Sequence, residues 1–294
     1  MDSWGFREGE EIGAGRYAVR LLGGGRRYEA WLAWDDRLRS LVVAKVVRPD
    51  QVADGDGLAA LEHEARLLAR LAHPLLVRCF GVDPRPPHPH LVLEFLEGPR
   101  LSTLVRRYGV ILEQALPLAL NLCSALHYLS REQVVHLDVK PRNIIMAGDP
   151  RLIDLSVARA VSELGSLRAP VGTDAYMAPE QCEPSSFGLI GPASDIWGLG
   201  VTLHETLTRE LPYPRPSEAD PFPQLTHEPR SLAEVMPAAL AELVMACLER
   251  SPAARPTAAE LGDALEPLLV RLPAPRIGNF RPGSRELMTR LEAG

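Results

Sequence analysis

The sequence predicts an α+β chain in two parts, a small antiparallel sheet with one main helix followed by a larger, mostly helical region. Three observations carry this. Short apolar runs separated by glycine or charged turns fill the first part. One leucine-rich stretch at helical spacing interrupts them. After Gly98, apolar residues recur with the period of buried helices.

The strands come first. Ala18–Leu22, Tyr28–Trp34 and Leu41–Val47 are apolar runs parted by Gly23–Gly25 and by Asp35–Arg37. Leucines at 58, 61, 68 and 71, with charges between them, predict a helix over 58–71. HPLLVRCFGV and HLVLEFLEG read as two more strands around the loop PRPPHP. The helices follow. Residues 113–129 place apolar side chains at 115, 116, 118, 119, 122, 125, 126 and 129, one buried face. A helix over 195–207 takes Ser194 as its N-cap. Ser231-x-x-Glu234 and Thr257-x-x-Glu260 match capping boxes, each opening an apolar run. The proline-rich stretch 212–229 reads as a surface connection. No internal repeat is found. The domains expected are 1–96, 97–272 and a short tail over 273–294, with a linker near 94–100.

The totals exclude some function classes. The chain has 294 residues, 46% of them hydrophobic, enough for a sizeable core. A net charge of −6, from 32 basic and 38 acidic residues, argues against nucleic acid as a partner. Cys79, Cys123, Cys182 and Cys247 lie far apart and form no CxxC, which predicts reduced, mostly buried thiols. The start, MDSWGFREGEE, has no apolar core of a signal peptide, and no segment approaches the ~20 apolar residues of a membrane span. The expectation is a soluble, cytoplasmic protein.

The chemistry-bearing residues concentrate at HLDVKPRN (136–143) and RLIDLSVAR (151–159). Such a cluster is either a solvated turn or part of a phosphoryl-transfer site. Phosphoryl transfer needs phosphates held still, their charge neutralised and a hydroxyl aligned. Asp138 can accept the proton of a hydroxyl, Lys140 can neutralise the transferred group, and Asn143 can hold magnesium with Asp154, since that ion takes hard oxygen ligands. Gly23 and Gly25, between two strands, let a backbone approach phosphates. Gly13–Ala14–Gly15 is a rival, disfavoured because a lysine-bearing strand follows the second turn. That lysine, Lys45 in LVVAKVV, either snorkels to solvent or meets phosphates, held by Glu64 on the next helix. Glu62 points elsewhere on a helix.

Lys45, Glu64, HLDVKPRN, Asp154, Ala178–Pro179–Glu180, DIWGLG (195–200) and Ala254–Pro256 together resemble the signature set of eukaryotic-type protein kinases, in order, over roughly residues 16–270. The resemblance implies a bilobal protein-kinase-like fold and transfer of the γ-phosphoryl of ATP, with Mg2+, to Ser/Thr hydroxyls of protein substrates. Lys140 and Gly172–Thr173 resemble the serine/threonine rather than the tyrosine enzymes. By the same resemblance Thr173 contacts Asp138 and Lys140, Glu180 pairs with Arg255, and Asp195 supports the catalytic loop. Leu93 is the gatekeeper, and the backbone of Glu94 and Leu96 meets adenine. Leu22, Ala30, Ala44 and Ile145 line the adenine slot. Ser162, Ser166 and Thr173 are candidate autophosphorylation sites, and the Ala-, Arg- and Leu-rich composition suggests a bacterial source.

Three departures stand out. Tyr28 replaces the third glycine of the glycine-rich loop, with Ala30 for its valine. Leu137 replaces the arginine that in the family binds a phosphate on the activation segment, so phosphorylation there is not expected to gate activity. Asp154–Leu155–Ser156 has serine for the usual glycine. Two alternatives stay open: a nucleotide-binding pseudokinase scaffold, slightly favoured by Tyr28 and Asp154–Ser156 but opposed by the retained Lys45, Glu64, Asp138, Lys140, Asn143 and Asp154, and a small-molecule phosphotransferase. The second is disfavoured because Gly172–Thr173, Ala178–Glu180 and DIWGLG resemble a protein-substrate platform.

Overall fold

The computed structural model describes residues 2–52, 55–184, 186–233 and 236–270. The tail over 273–294 and Glu234 therefore lie outside the described residues. The chain divides into two compact units. One runs to Glu97 and takes in Asp154–Ser156, while the other holds Gly98–Ile153 and the chain from Val157 onward.

In the first unit, strands β1 (Glu11–Gly13), β2 (Arg16–Gly24), β3 (Tyr28–Asp35) and β4 (Ser40–Val47) precede a short helical turn α1 (Pro49–Val52) and helix α2 (Gly55–Arg70). Strands β5 (Cys79–Asp83) and β6 (His90–Glu94) complete one antiparallel sheet of order β1-β2-β3-β4-β6-β5. Strand alternation sorts the side chains onto two faces. Ala18, Trp31, Ala33, Val42, Ala44, Val46 and Val92 form one apolar cluster, which Phe6 and Trp4 cover. Trp4 is fastened by its indole N–H, which donates to the Val47 carbonyl at 2.7 Å. The sequence pattern shows neither the short strand β1 nor this docking of the N-terminal aromatics.

The placement of Ala44 corrects an expectation. It sits opposite Trp31, within the cluster that Trp4 and Phe6 cover, whereas Lys45 sits opposite Ala30 and Leu91. Successive strand residues point to opposite faces, so Val43, paired with Leu93, shares the face of Lys45.

The second unit opens with α3 (Leu101–Arg107) and α4 (Leu112–Arg131), then β7 (Val134–Val135), β8 (Ile144–Ala147), β9 (Asp149–Leu152) and β10 (Arg159–Ala160). Helices α5 (Val161–Leu164), α6 (Pro179–Cys182), α7 (Pro192–Thr208), α8 (Ala238–Cys247) and α9 (Ala258–Val270) follow. α4 buries the expected face, Ala115 to Leu129, and packs against α7 and α9. α7 starts three residues before the expected position. Pro192 takes its first position, where a missing N–H costs nothing, and the Ser194 hydroxyl accepts the Gly191 N–H from inside the helix. Nor does Ser231 open a helix: its hydroxyl accepts the Ala233 N–H in a turn, and α8 begins only after Pro237. The 212–229 stretch is more than a surface connection, since it buries Tyr213 and Gln224.

The capping box at Thr257 is formed. The Glu260 N–H donates to the Thr257 hydroxyl at 3.2 Å, and Glu260 Oε2 accepts the Thr257 N–H at 2.8 Å. Thr257→Ala is expected to cost about 1 kcal/mol, a fall of roughly 2–4 °C in melting temperature by thermal denaturation. An unchanged midpoint would show that α9 does not depend on its cap. All four cysteines are free, and burial pushes the Cys123 and Cys182 thiols up to about 12. Among the described residues, no helix is long and apolar enough to cross a membrane.

Candidate active site

In the first unit a buried cation is held from three sides. The Lys45 ammonium donates to Glu64 Oε1 and Oε2 at 2.9 and 2.7 Å and to Asp154 Oδ1 at 2.7 Å. Those bonds use all three of its donors. Burial alone lowers the Lys45 pKa, but the Asp154 and Glu64 carboxylates outweigh it and hold the pKa above its ordinary range. Glu62 pairs with Arg66 on the surface of α2, away from the lysine.

Tyr28 joins this group. Its ring lies 4.9 Å from the ammonium, a cation–π contact, and its hydroxyl donates to the Gly57 carbonyl of α2 at 3.3 Å. The residue that replaces a glycine thus connects the glycine turn to the helix bearing Glu64. Gly23 has a φ of +146°, open to glycine and strained for other residues. The Gly25 N–H closes the turn on the Tyr28 carbonyl at 2.9 Å. Leu22 is half-buried, Ala30 faces Lys45 across the ladder, and Leu93 and Leu96 are buried near the end of β6. The Glu94 N–H donates to the Arg78 carbonyl at 2.9 Å. Leu155 is fully buried, and Ser156 has no positive φ, so its backbone does not require glycine.

In the second unit the loop after β7 gathers polar groups around Asp138. Oδ2 accepts from the Lys140 ammonium at 2.6 Å and from Asn143 Nδ2 at 2.9 Å. Oδ1 accepts the Thr173 hydroxyl at 2.7 Å, and Lys140 also donates to that hydroxyl. Asn143 spends its amide hydrogens on Asp138, which leaves its carbonyl oxygen for a hard cation. That donor set suits magnesium, which needs one or two protein oxygens. No cluster of three or more His, Cys, Asp or Glu that could hold a metal is found among the described residues. Ile145, on β8, is half-buried.

The loop is anchored from below. Asp195 accepts the His136 N–H at 2.7 Å and the Leu137 N–H at 2.8 Å. The His136 ring accepts the Asp138 N–H at Nδ1 and bonds the Ile153 carbonyl through Nε2, at 3.3 Å each, as the Nε2–H tautomer would. Leu137 and Asp154 both hold left-handed backbones, φ +65° and +68°. Such conformations are uncommon without glycine and concentrate at functional sites. Glu180 and Arg255 form a fully buried pair at 2.7 and 2.8 Å. Two glutamines lay beyond sequence reasoning. Gln224 donates to the Asp174 and Met177 carbonyls, and Gln181 bonds Leu137, Val171 and Ala178. A buried glutamine has no signal in a single sequence.

Comparison with known proteins finds a family model and relatives that this chain resembles. The family model described as Protein kinase domain matches residues 16–264. Serine/threonine-protein kinase PknB of Mycobacterium tuberculosis is 31% identical over 263 residues, covering 84% of this chain and 42% of that protein. Serine/threonine-protein kinase A of Synechocystis is 30% identical over 293 residues, covering 90% of this chain and 56% of the relative. The chain thus spans about half the length, or less, of these curated relatives.

Proposed function

The chain belongs to the protein kinase family, and from that premise we propose that it is a serine/threonine protein kinase, transferring the γ-phosphoryl of ATP to Ser/Thr hydroxyls of protein substrates. The observation that carries the proposal is the Asp138 carboxylate, fixed by Lys140, Asn143 and Thr173. Asp138 Oδ1, which accepts the Thr173 hydroxyl, would orient a second hydroxyl and take its proton. Lys140 offers positive charge beside the transferred group. Lys45, fixed by Glu64, steadies the α- and β-phosphates, and Gly23 and Gly25, without side chains, let the backbone of the turn approach them. Leu22, Ala30, Val43 and Leu93 would contact adenine, as would Ile145, with the backbone of Glu94 and Leu96 as its hydrogen-bonding edge. Asn143 and Asp154 would hold magnesium, which would supply positive charge to the phosphates. The protein substrates, autophosphorylation and a cytoplasmic setting belong to the same proposal.

The test is incubation with labelled ATP and magnesium beside a generic basic protein and small hydroxylated compounds. Label on phosphoserine or phosphothreonine supports the proposal. Label confined to small compounds, or none at all, overturns it.

Asp195 adds an expected pH dependence. Its carboxyl is raised to about 6, first by burial, against the opposing pull of His136 and the two backbone N–H groups, with Asp138 adding to the rise. The raised value means that the folded chain holds the proton more tightly than the unfolded chain between roughly pH 4 and 6. This group's contribution to stability is therefore full below about pH 4 and lost as pH rises through about 6. A protonated carboxyl is a poorer acceptor for two N–H groups, so the catalytic loop loosens. Transfer is expected to fall below pH 6 with no parallel fall in melting temperature from this group. A pH series of both quantities checks it, and a joint decline would remove Asp195 as the cause.

A further inference from the structure

We propose that Gln181 is a positioning residue that ties the catalytic loop to the segment carrying Thr173, and that with the apolar contacts of Leu137 it holds this segment without a phosphate. The inference rests on the kinase reading above. Gln181 is 2% exposed and spends its whole carboxamide on backbone. Nε2 donates to the Leu137 carbonyl at 3.0 Å and to the Val171 carbonyl at 2.7 Å, while Oε1 accepts the Ala178 N–H at 3.1 Å. Leu137 directly precedes Asp138, and Val171 lies two residues before Thr173. One side chain therefore fixes both backbones that bring the Thr173 hydroxyl to Asp138. Between them Gly172 has a φ of +134°, and a Cβ there would stand 2.7 Å from the Leu137 oxygen and 3.2 Å from Gln181 Nε2. Only a glycine lets the two segments pass so closely.

The second part is apolar. Leu137 is 3% exposed and clusters with Val135 and Leu164, and Val157, Val161, Leu167 and Val171 pack against them. Every one of these except Leu137 and Val135 lies on the segment that a phosphate would otherwise organise. The pairing of β10 with β7, Arg159 opposite Val135, adds backbone bonds at the start of that segment. Apolar contacts and amide–carbonyl bonds are present whatever the phosphorylation state, and the cation that would read a phosphate is missing at Leu137.

The experiment uses phosphatase-treated full chain, shown by intact mass to carry no phosphate. The wild type is expected to transfer at a rate within about twofold of the autophosphorylated form, with slow hydrogen exchange over 157–172. Gln181→Leu, which keeps volume and removes the bonds, is expected to raise KM for the protein substrate about tenfold. KM for ATP is expected to stay constant, and exchange over 157–172 to quicken. A purely structural loss would move both KM values together. Val171→Ser gives the same readout should Gln181→Leu not fold. Loss of wild-type transfer on dephosphorylation, or unchanged protein KM and exchange in the variants, overturns the proposal. A wild type that phosphorylates no protein in either state overturns the kinase reading instead, and the exchange measurement still decides whether Gln181 holds the segment.

Discussion

Asp138→Asn is expected to slow phosphate transfer to protein by about 10²–10⁴-fold, the range of a general base removed from its reaction. The fold should tolerate the change. Three donors converge on Asp138: Lys140, Asn143 and the Thr173 hydroxyl. An asparagine keeps one oxygen for Lys140 and Asn143. Its amide can face Thr173, whose hydroxyl can turn to accept instead of donate. The melting temperature should therefore stay within a few degrees, and ATP should still raise it, because Lys45 and Glu64 are untouched. Labelled-ATP transfer beside thermal melts with and without MgATP separates these effects. A residual rate above a tenth of wild type would reassign the base. A collapse in melting temperature would mean that the carboxylate's charge, not its basicity, matters most.

The legible parts of this protein are those that local pattern decides. Short apolar runs parted by glycine or charged turns mark β2, β3, β4 and β6, and the 113–129 stripe marks α4. The polar residues of HLDVKPRN stood out because nothing in a solvated turn needs them in that order. What stayed illegible depends on partners far along the chain. The short strand β1 gains its meaning only by pairing with β2. In the sequence Tyr28 is only a replaced glycine, while in the structure its contacts with Lys45 and Gly57 make it a link to α2. Strand alternation puts Ala44 and Lys45 on opposite faces, and Ala44 lies in the cluster that Trp4 and Phe6 cover. Ser231 carried a capping-box spacing, but Pro237 lies just before α8 and fixes where that helix begins.

The departures from the family pattern share one physical theme. Where the family uses an exposed charge or a flexible glycine, this chain places a buried contact. Leu137 enters an apolar cluster in place of an arginine, and Tyr28 packs against Lys45 and bonds Gly57 in place of a glycine. Each change exchanges conformational freedom for fixed geometry. The lysine and the carboxylates on which transfer would depend are retained.

Arg255→Ala is expected to be the most destabilising single change in the second unit, by about 3–5 kcal/mol. Arg255 and Glu180 have no exposed side-chain surface and meet through a bidentate pair. The arginine also donates to the carbonyls of Glu249, Ala193 and Arg250, and its guanidinium lies 4.9 Å from the Trp197 ring. Truncation leaves Glu180 buried with only the Ser194 hydroxyl as a side-chain donor, and three carbonyls lose their partner. A drop of roughly 10 °C in melting temperature should follow. Arg255→Lys should recover little, because a single ammonium cannot reproduce the planar fork. Glu180→Gln combined with Arg255→Ala should be milder than Arg255→Ala alone, since no unpaired carboxylate remains buried. That inequality is the decisive measurement. If the double variant melts lower than the single, the pair acts through packing and hydrogen-bond count, and the buried charge is not what makes Arg255 indispensable.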